Sequence, residues 1–402
     1  MTMENEIKIV TRKSSGKCQW DGLFTRQAAE TARNFHRTIP GYKPTPLVDL
    51  KGLAEHLGLE AFYVKDESFR FGLNAFKGLG GSFCVAQVLG EKLGIPITEM
   101  TFALLQDPAV HAKIKDLCFV TATDGNHGRG IAWTAHCLGV KSRVFMPKGS
   151  SRERLENIRA LGSDACITEF NYDDTVRHAA RVAEETGGIL VQDTAWEGYE
   201  SIPGWIMEGY TTLALEAAEA LSQPPTHIFL QAGVGAMSGA LAGFFADYYG
   251  SRKPVITIVE PNRADCIFRT AAAGDGKLHT VTGALDTIMA GLACGEPCTL
   301  GWGELAAHAE HFASVPDWVA AQGMRILGAP VPRDSWVISG ESGAVTSGFV
   351  CELYRNKELE PLKKELGLDK DSRVLCISTE GATDRESYRH IVWDGAWGKP
   401  CS

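Results

Sequence analysis

Residues 226–241 read THIFLQAGVGAMSGAL. A short apolar run ends at Gln231, small residues follow, and a helical pattern then continues to Gly250. A strand that is apolar throughout, rather than alternating, is covered on both faces, which is the pattern of a parallel sheet. The turn leaving such a strand is where open α/β sheets bind ligands. Gly233 and Gly235 allow close approach to the backbone, and the new helix offers N–H groups without intrahelical partners, so a phosphate suits this turn. Two other readings stay open at this point. One is a plain Gly/Ala turn for tight packing. The other is a dinucleotide fingerprint with Glu260 as its acid, although the third glycine is Gly239, one residue late for that motif.

The same alternation runs outward in both directions. Strands are expected at 61–66, 117–123, 142–147, 164–170, 188–193, 254–261, 334–340 and 373–379. Helices are expected at 128–139, 151–162, 175–187, 209–222 and 240–250. The fold class is therefore α/β with open, mostly parallel sheets. A chain of 402 residues supports more than one core. We expect a large domain from residues 1–89 and 191–402 and a small inserted α/β domain at 90–190, with a ligand held between them.

A net charge of −9 argues against a nucleic-acid surface. No apolar run is long enough to span a bilayer, and the polar start of the chain lacks the core of a signal peptide, so the expected location is the cytoplasm. Eleven cysteines, an odd number, read as reduced thiols, with a Cys266–Cys294 disulfide as the weaker alternative. Cys294 and Cys298 have no companions to complete a zinc site. His308 and His311, three apart in AAHAEHF, lack a third ligand and read as a solvated helix face, so no metal is expected.

Three further stretches carry chemistry. TATDGNHGRG (121–130) places an acid, an amide and an imidazole between a strand and a helix, where a cap would need only one of them. CISTEGATD (376–384) ends a buried strand with Ser378 and Thr379, either a simple turn or a hydroxyl offered to a ring nitrogen. GLNAFKGLGG (72–81) sets Lys77 between an apolar pair and a run of glycines. Burial disfavours the ammonium form, and a neutral amine can attack a carbonyl to form a Schiff base. An amine, a phosphate turn, an amide and a hydroxyl together match the needs of pyridoxal phosphate.

These stretches, with KPTPL (43–47) and with TIMAGLACGEP (287–297) as a further active-site strand and loop, resemble the fold type II family of pyridoxal-phosphate enzymes, while SGESGAV (339–345) is expected as a glycine-rich turn. The resemblance runs from about residue 42 to residue 384. It implies that Lys77 holds pyridoxal 5'-phosphate and that Asn126 contacts its phenolic oxygen. Gly233, Val234, Gly235, Ala236 and Met237 would cradle its phosphate. Ser378, or failing that Thr379, would meet the ring nitrogen. Thr123, Asp124 and Gly125 match the family's substrate loop, with an acid at 124 where relatives carry a small or hydroxyl residue. That acid points to the branch that eliminates ammonia from 2,3-diaminopropionate of either hand. Lys77 and Asp124 would then be the bases for the two enantiomers, and Asp193 would be a partner for the β-ammonium. A serine/threonine dehydratase is the alternative. Partners beyond the small amino-acid substrate are limited to a second copy of the chain, as a homodimer.

Overall fold

The computed structural model describes residues 6–400 other than Lys17, Gln19, Asp21 and Asp124. Its strands are β1 (Lys8–Thr11), β2 (Leu47–Asp49), β3 (Ala61–Asp66), β4 (Cys118–Ala122), β5 (Lys141–Met146), β6 (Asp164–Ile167), β7 (Ile189–Leu190), β8 (His227–Gln231), β9 (Val255–Pro261), β10 (His311–Val315) and β11 (Arg373–Ser378). They form a seven-stranded sheet in the order β1-β10-β9-β8-β11-β3-β2 and a four-stranded sheet in the order β6-β5-β4-β7. The smaller sheet is parallel throughout. In the larger one the five inner strands run parallel, and the two edges, β1 and β2, run antiparallel to their neighbours.

The inner strands are apolar for the reason their sequences suggest. Ile228, Phe229, Leu230, Ile256, Ile258, Leu375 and Ile377 are all fully buried. Helices cover both faces, and the parallel strands deliver their carboxyl ends to one side, where Gln231, Thr379 and the turn after β4 converge.

The glycines after Lys77 have a packing cause. Lys77–Leu93 forms a helix that packs against the helices Asn126–Leu138 and Ser201–Ala220. A β-carbon on Gly80 would lie 2.7 Å from the Ile206 carbonyl oxygen, and one on Gly209 would lie 2.8 Å from that of Leu79. Only hydrogen at both positions allows the two helix backbones to approach so closely.

Several expectations need correction. Residues 334–340 pair with no strand, and Trp336 and Ile338 are exposed there. A short apolar run had suggested a strand, but no neighbouring edge is offered to it. His308 ends the helix Thr299–His308, whereas His311 begins β10, is buried, and bonds Thr11 through Nδ1 at 2.8 Å. The pair therefore spans a helix end and a strand start, not one helix face. Residues 188–193 hold only a two-residue strand. SGESGAV is the start of the helix Glu341–Arg355, not a turn. In 287–297 the chain makes a single 3-10 turn, Ala290–Leu292, and no strand. The described cysteines form no disulfide.

Candidate active site

Lys77 is the first residue of its helix, where the positive end of the helix dipole opposes a cationic side chain. Asp193 offsets this. Its carboxylate contacts the Lys77 Nζ and also receives the Tyr172 hydroxyl at 3.3 Å and the Gln192 amide at 3.2 Å. Burial opposes ionisation of Asp193, yet the neighbouring His127 and Lys77 bring its carboxyl down to about 2. The His127 ring donates through Nε2 to the Val191 carbonyl at 2.8 Å and stands 3.7 Å from Asp193 through Nδ1. Burial lowers the imidazole pKa, and the Asp193 carboxylate beside it works against that shift.

The chain reaches Lys77 through a bent loop in which Phe71, Gly72 and Asn74 have φ of 51°, 71° and 59°. Such non-glycine conformations persist only where the surroundings fix them. A buried ionic cluster does so. Glu216 accepts from Lys65 at 2.6 Å and from Arg70 at 2.7 and 2.9 Å. Arg70 also meets Glu67 at 2.8 Å, and the Thr45 hydroxyl donates to Glu67 at 2.6 Å. KPTPL, the lysine segment and the helix Ser201–Ala220 are thereby joined beneath the site.

On the opposite side the loop is tied to the exit of β11. Phe76 N–H donates to the Thr379 carbonyl at 3.1 Å, Gly381 N–H donates to that of Asn74 at 3.0 Å, and Ala75 forms a bridge with Glu380.

The turn after β8 lies across the cleft from Lys77. Gly233, Val234, Gly235, Ala236, Met237 and Ser238 all line the cleft that Lys77, Asn126 and Asp193 also line. Gly235, with φ of 90°, caps the helix Ala236–Tyr249. A β-carbon on Gly233 would press on the Gly291 carbonyl and the Leu292 Cα, each at 3.2 Å. The first N–H groups of a helix lack intrahelical partners, so this turn could hold an anion.

The two hydroxyl candidates separate. Ser378 is fully buried and donates to the Ser339 hydroxyl at 2.8 Å. Thr379 lines the cleft and accepts from the Gln231 amide at 3.0 Å. Asn126 lines it as well, with its amide on Glu380. Thr123 turns its hydroxyl to the Gly125 and Gly128 N–H groups, at 2.9 and 3.0 Å, and so shapes the loop; neither Thr123 nor Gly125 is among the described residues lining the cleft. Asp124 lies outside the described residues.

Sequence reasoning missed Glu380, Gln231 and Tyr172, all of which line the cleft. A polar residue closing the apolar strand HIFLQ was the signal for Gln231, since strand carboxyl ends face ligands.

The residues present suit pyridoxal phosphate: an amine, a backbone cradle for its phosphate, an amide and a hydroxyl around one cleft, with buried oxygens of Gln231 and Glu380 lacking partners among the described residues. The chain belongs to the pyridoxal-phosphate dependent enzymes, whose family model matches residues 38–379. Within that class it is 51% identical to the diaminopropionate ammonia-lyase of Salmonella typhimurium, covering 96% of each chain. It superposes on the holo diaminopropionate ammonia lyase of Escherichia coli with a TM-score of 0.93 at 46% identity, covering 99% of each chain. The structure of that E. coli enzyme in complex with an aminoacrylate-PLP azomethine reaction intermediate gives 0.91, covering 98% of this chain and 99% of that one.

Proposed function

We propose that this chain eliminates ammonia from 2,3-diaminopropionate, giving pyruvate and a second ammonia, with pyridoxal phosphate as cofactor. One observation carries the reading: the Lys77 amine meets Asp193 in the same cleft as the Gly233–Ser238 backbone cradle. Near-complete coverage at about half identity to ammonia-lyases favours this over the serine/threonine dehydratase alternative.

Bound pyridoxal phosphate supplies an electron sink that acidifies the substrate's Cα proton. The remaining work falls to the chain. Lys77 Nζ is the attachment atom and, once released, accepts the Cα proton of the L isomer. Asp124 is assigned the D isomer, because the two Cα protons face opposite sides and need two bases. Asp193, whose carboxyl His127 and Lys77 hold down against the effect of burial, orients Lys77 and can receive the β-ammonium. Asn126 serves the phenolic oxygen, and Gly233 through Met237 the phosphate. Thr379 suits the ring nitrogen better than Ser378, whose hydroxyl is directed to Ser339. A neutral hydroxyl there leaves a moderate electron sink, which suits fast β-elimination. Thr123 and Gly125 hold the loop that meets the substrate.

The division into residues 1–89 with 191–402 and an inserted 90–190 belongs to the same reading, supported by a separate sheet within 118–190. So do a homodimeric assembly and a cytoplasmic location. No helix among the described residues is long and apolar enough to cross a membrane.

The test is to incubate the protein and pyridoxal phosphate with each enantiomer of diaminopropionate, serine and threonine, measuring oxo acid and ammonia. Pyruvate from both diaminopropionate enantiomers, with two ammonia each, supports the reading. Turnover confined to L-serine or L-threonine replaces it with the dehydratase.

A further inference from the structure

Glu380 follows Thr379, is 1% exposed, and lines the cleft with Lys77. Its backbone is fixed twice, by the bridge to Ala75 and by the Gly340 N–H, which donates to its carbonyl at 2.9 Å. Gly340 leaves room for the side chain: a β-carbon there would lie 3.0 Å from the Glu380 Cγ. The carboxylate oxygen Oε2 receives the Asn126 amide nitrogen and the Thr383 hydroxyl, the latter at 3.4 Å. Thr383 itself accepts from Arg154 at 3.2 Å. The other oxygen, Oε1, is buried and has no hydrogen-bond partner among the described residues.

A carboxylate only accepts hydrogen bonds. Asn126 must therefore turn its –NH2 toward Glu380, not its carbonyl oxygen, so the orientation of that amide is set by chemistry. The –NH2 carries two hydrogens. With one committed to Glu380, the second remains for another acceptor.

We propose that Glu380 is a positioning residue that locks the Asn126 amide with its nitrogen, rather than its oxygen, toward the phenolic oxygen of bound pyridoxal phosphate. This rests on the function proposed above, from which the role of Asn126 is taken. The phenolic oxygen of the cofactor is an acceptor, so a flipped amide would set two oxygens against each other, and the lost bond would become a repulsion. Glu380 cannot serve that oxygen itself, because both groups accept.

Glu380→Gln tests this with little change of shape. Its new –NH2 can donate to the Asn126 carbonyl and so permits the flip. The readouts are the pyridoxal-phosphate dissociation constant and the visible absorption of the reconstituted protein, for wild type, E380Q, N126A and the double variant. Circular dichroism of each cofactor-free protein checks folding. E380Q should weaken binding about tenfold, the equivalent of ~1.4 kcal/mol, and shift the visible band. N126A should do the same, and the double variant should be no worse than N126A alone. If E380Q does not fold, E380D takes its place, keeping an acceptor of shorter reach, with a smaller change expected in both readouts. An E380Q protein with wild-type affinity and spectrum overturns the proposal, as does an additive double variant. If wild type itself forms no visible band with pyridoxal phosphate, the proposed function falls and takes this proposal with it. A normal wild-type band beside an unchanged E380Q band removes the Glu380 role alone.

Discussion

Gly130 rests against the main chain of Lys77: a β-carbon on Gly130 would lie 3.0 Å from the Lys77 carbonyl oxygen and 3.1 Å from the Gly78 nitrogen. The helix that carries Asn126 is thus seated directly on the backbone of the attachment lysine. Arg129 adds a bond from its guanidinium to the Leu73 carbonyl at 2.9 Å.

Gly130→Ala gains about 1 kcal/mol of helix propensity in isolation. The added methyl meets backbone that cannot rotate away, and overpacking of this kind costs about 1–3 kcal/mol. We expect net destabilisation by thermal melting and at least a tenfold loss of elimination rate. A variant as stable and active as wild type would show that the contact is slack.

Glu216→Ala removes the acceptor shared by Lys65 and Arg70, whose side chains are each about 1% exposed. Burial opposes ionisation of Glu216, but Arg70 and Lys65 draw its carboxyl down to about 2. Lys65 then loses its carboxylate and Arg70 keeps only Glu67, and breaking a buried ion pair from one side costs ~3–5 kcal/mol. Urea midpoints should fall accordingly, and a loss under ~1 kcal/mol would mean that water reaches the cluster.

Asp173 carries a clear pH signature. Burial first, and Glu296 second, push its carboxyl up to about 6. The folded state then binds a proton more tightly than the unfolded chain, so this residue removes stability as pH rises from about 4 to about 6. Below that window both states are protonated and nothing is lost. Asp173→Asn should stabilise by roughly 1 kcal/mol at pH 7–8 and by nothing near pH 3.5. Equal effects at both pH values would contradict this sign.

Lys77→Ala should abolish borohydride trapping of the cofactor and reduce turnover of both enantiomers by at least about 10³-fold. Asp124→Asn should reduce D-isomer turnover by about 10²–10⁴-fold and leave the L isomer within a fewfold. Parallel loss of both activities in D124N would assign Asp124 to binding instead.

The inner strands were legible because burial on both faces leaves one signature, an unbroken apolar run such as HIFLQ or RVLCIS. β1 and β2 were not, being three or four residues long, half-exposed, and defined only by the edges they join. HFASV escaped because its first residue, His311, together with His308 suggested helical spacing. Asn126 and the Gly233 turn were singled out at strand ends and Lys77 by its apolar and glycine neighbours, and all three line one cleft. Glu380 was not: an acid after a Ser-Thr pair reads as a surface cap, and only Asn126 and Gly340, remote in sequence, make its burial sensible.

β11 is the last strand in the chain, yet it lies between β8 and β3 in the middle of the large sheet. The tie from Phe76 to Thr379 likewise spans most of the sequence. During synthesis, therefore, the segment bearing Lys77 is made early but lacks its ties to the exit of β11 until residues 373–378 emerge from the ribosome. A chain halted before residue 373 should therefore emerge without the reactive aldehyde of the vitamin. Loading becomes an act of the finished polypeptide.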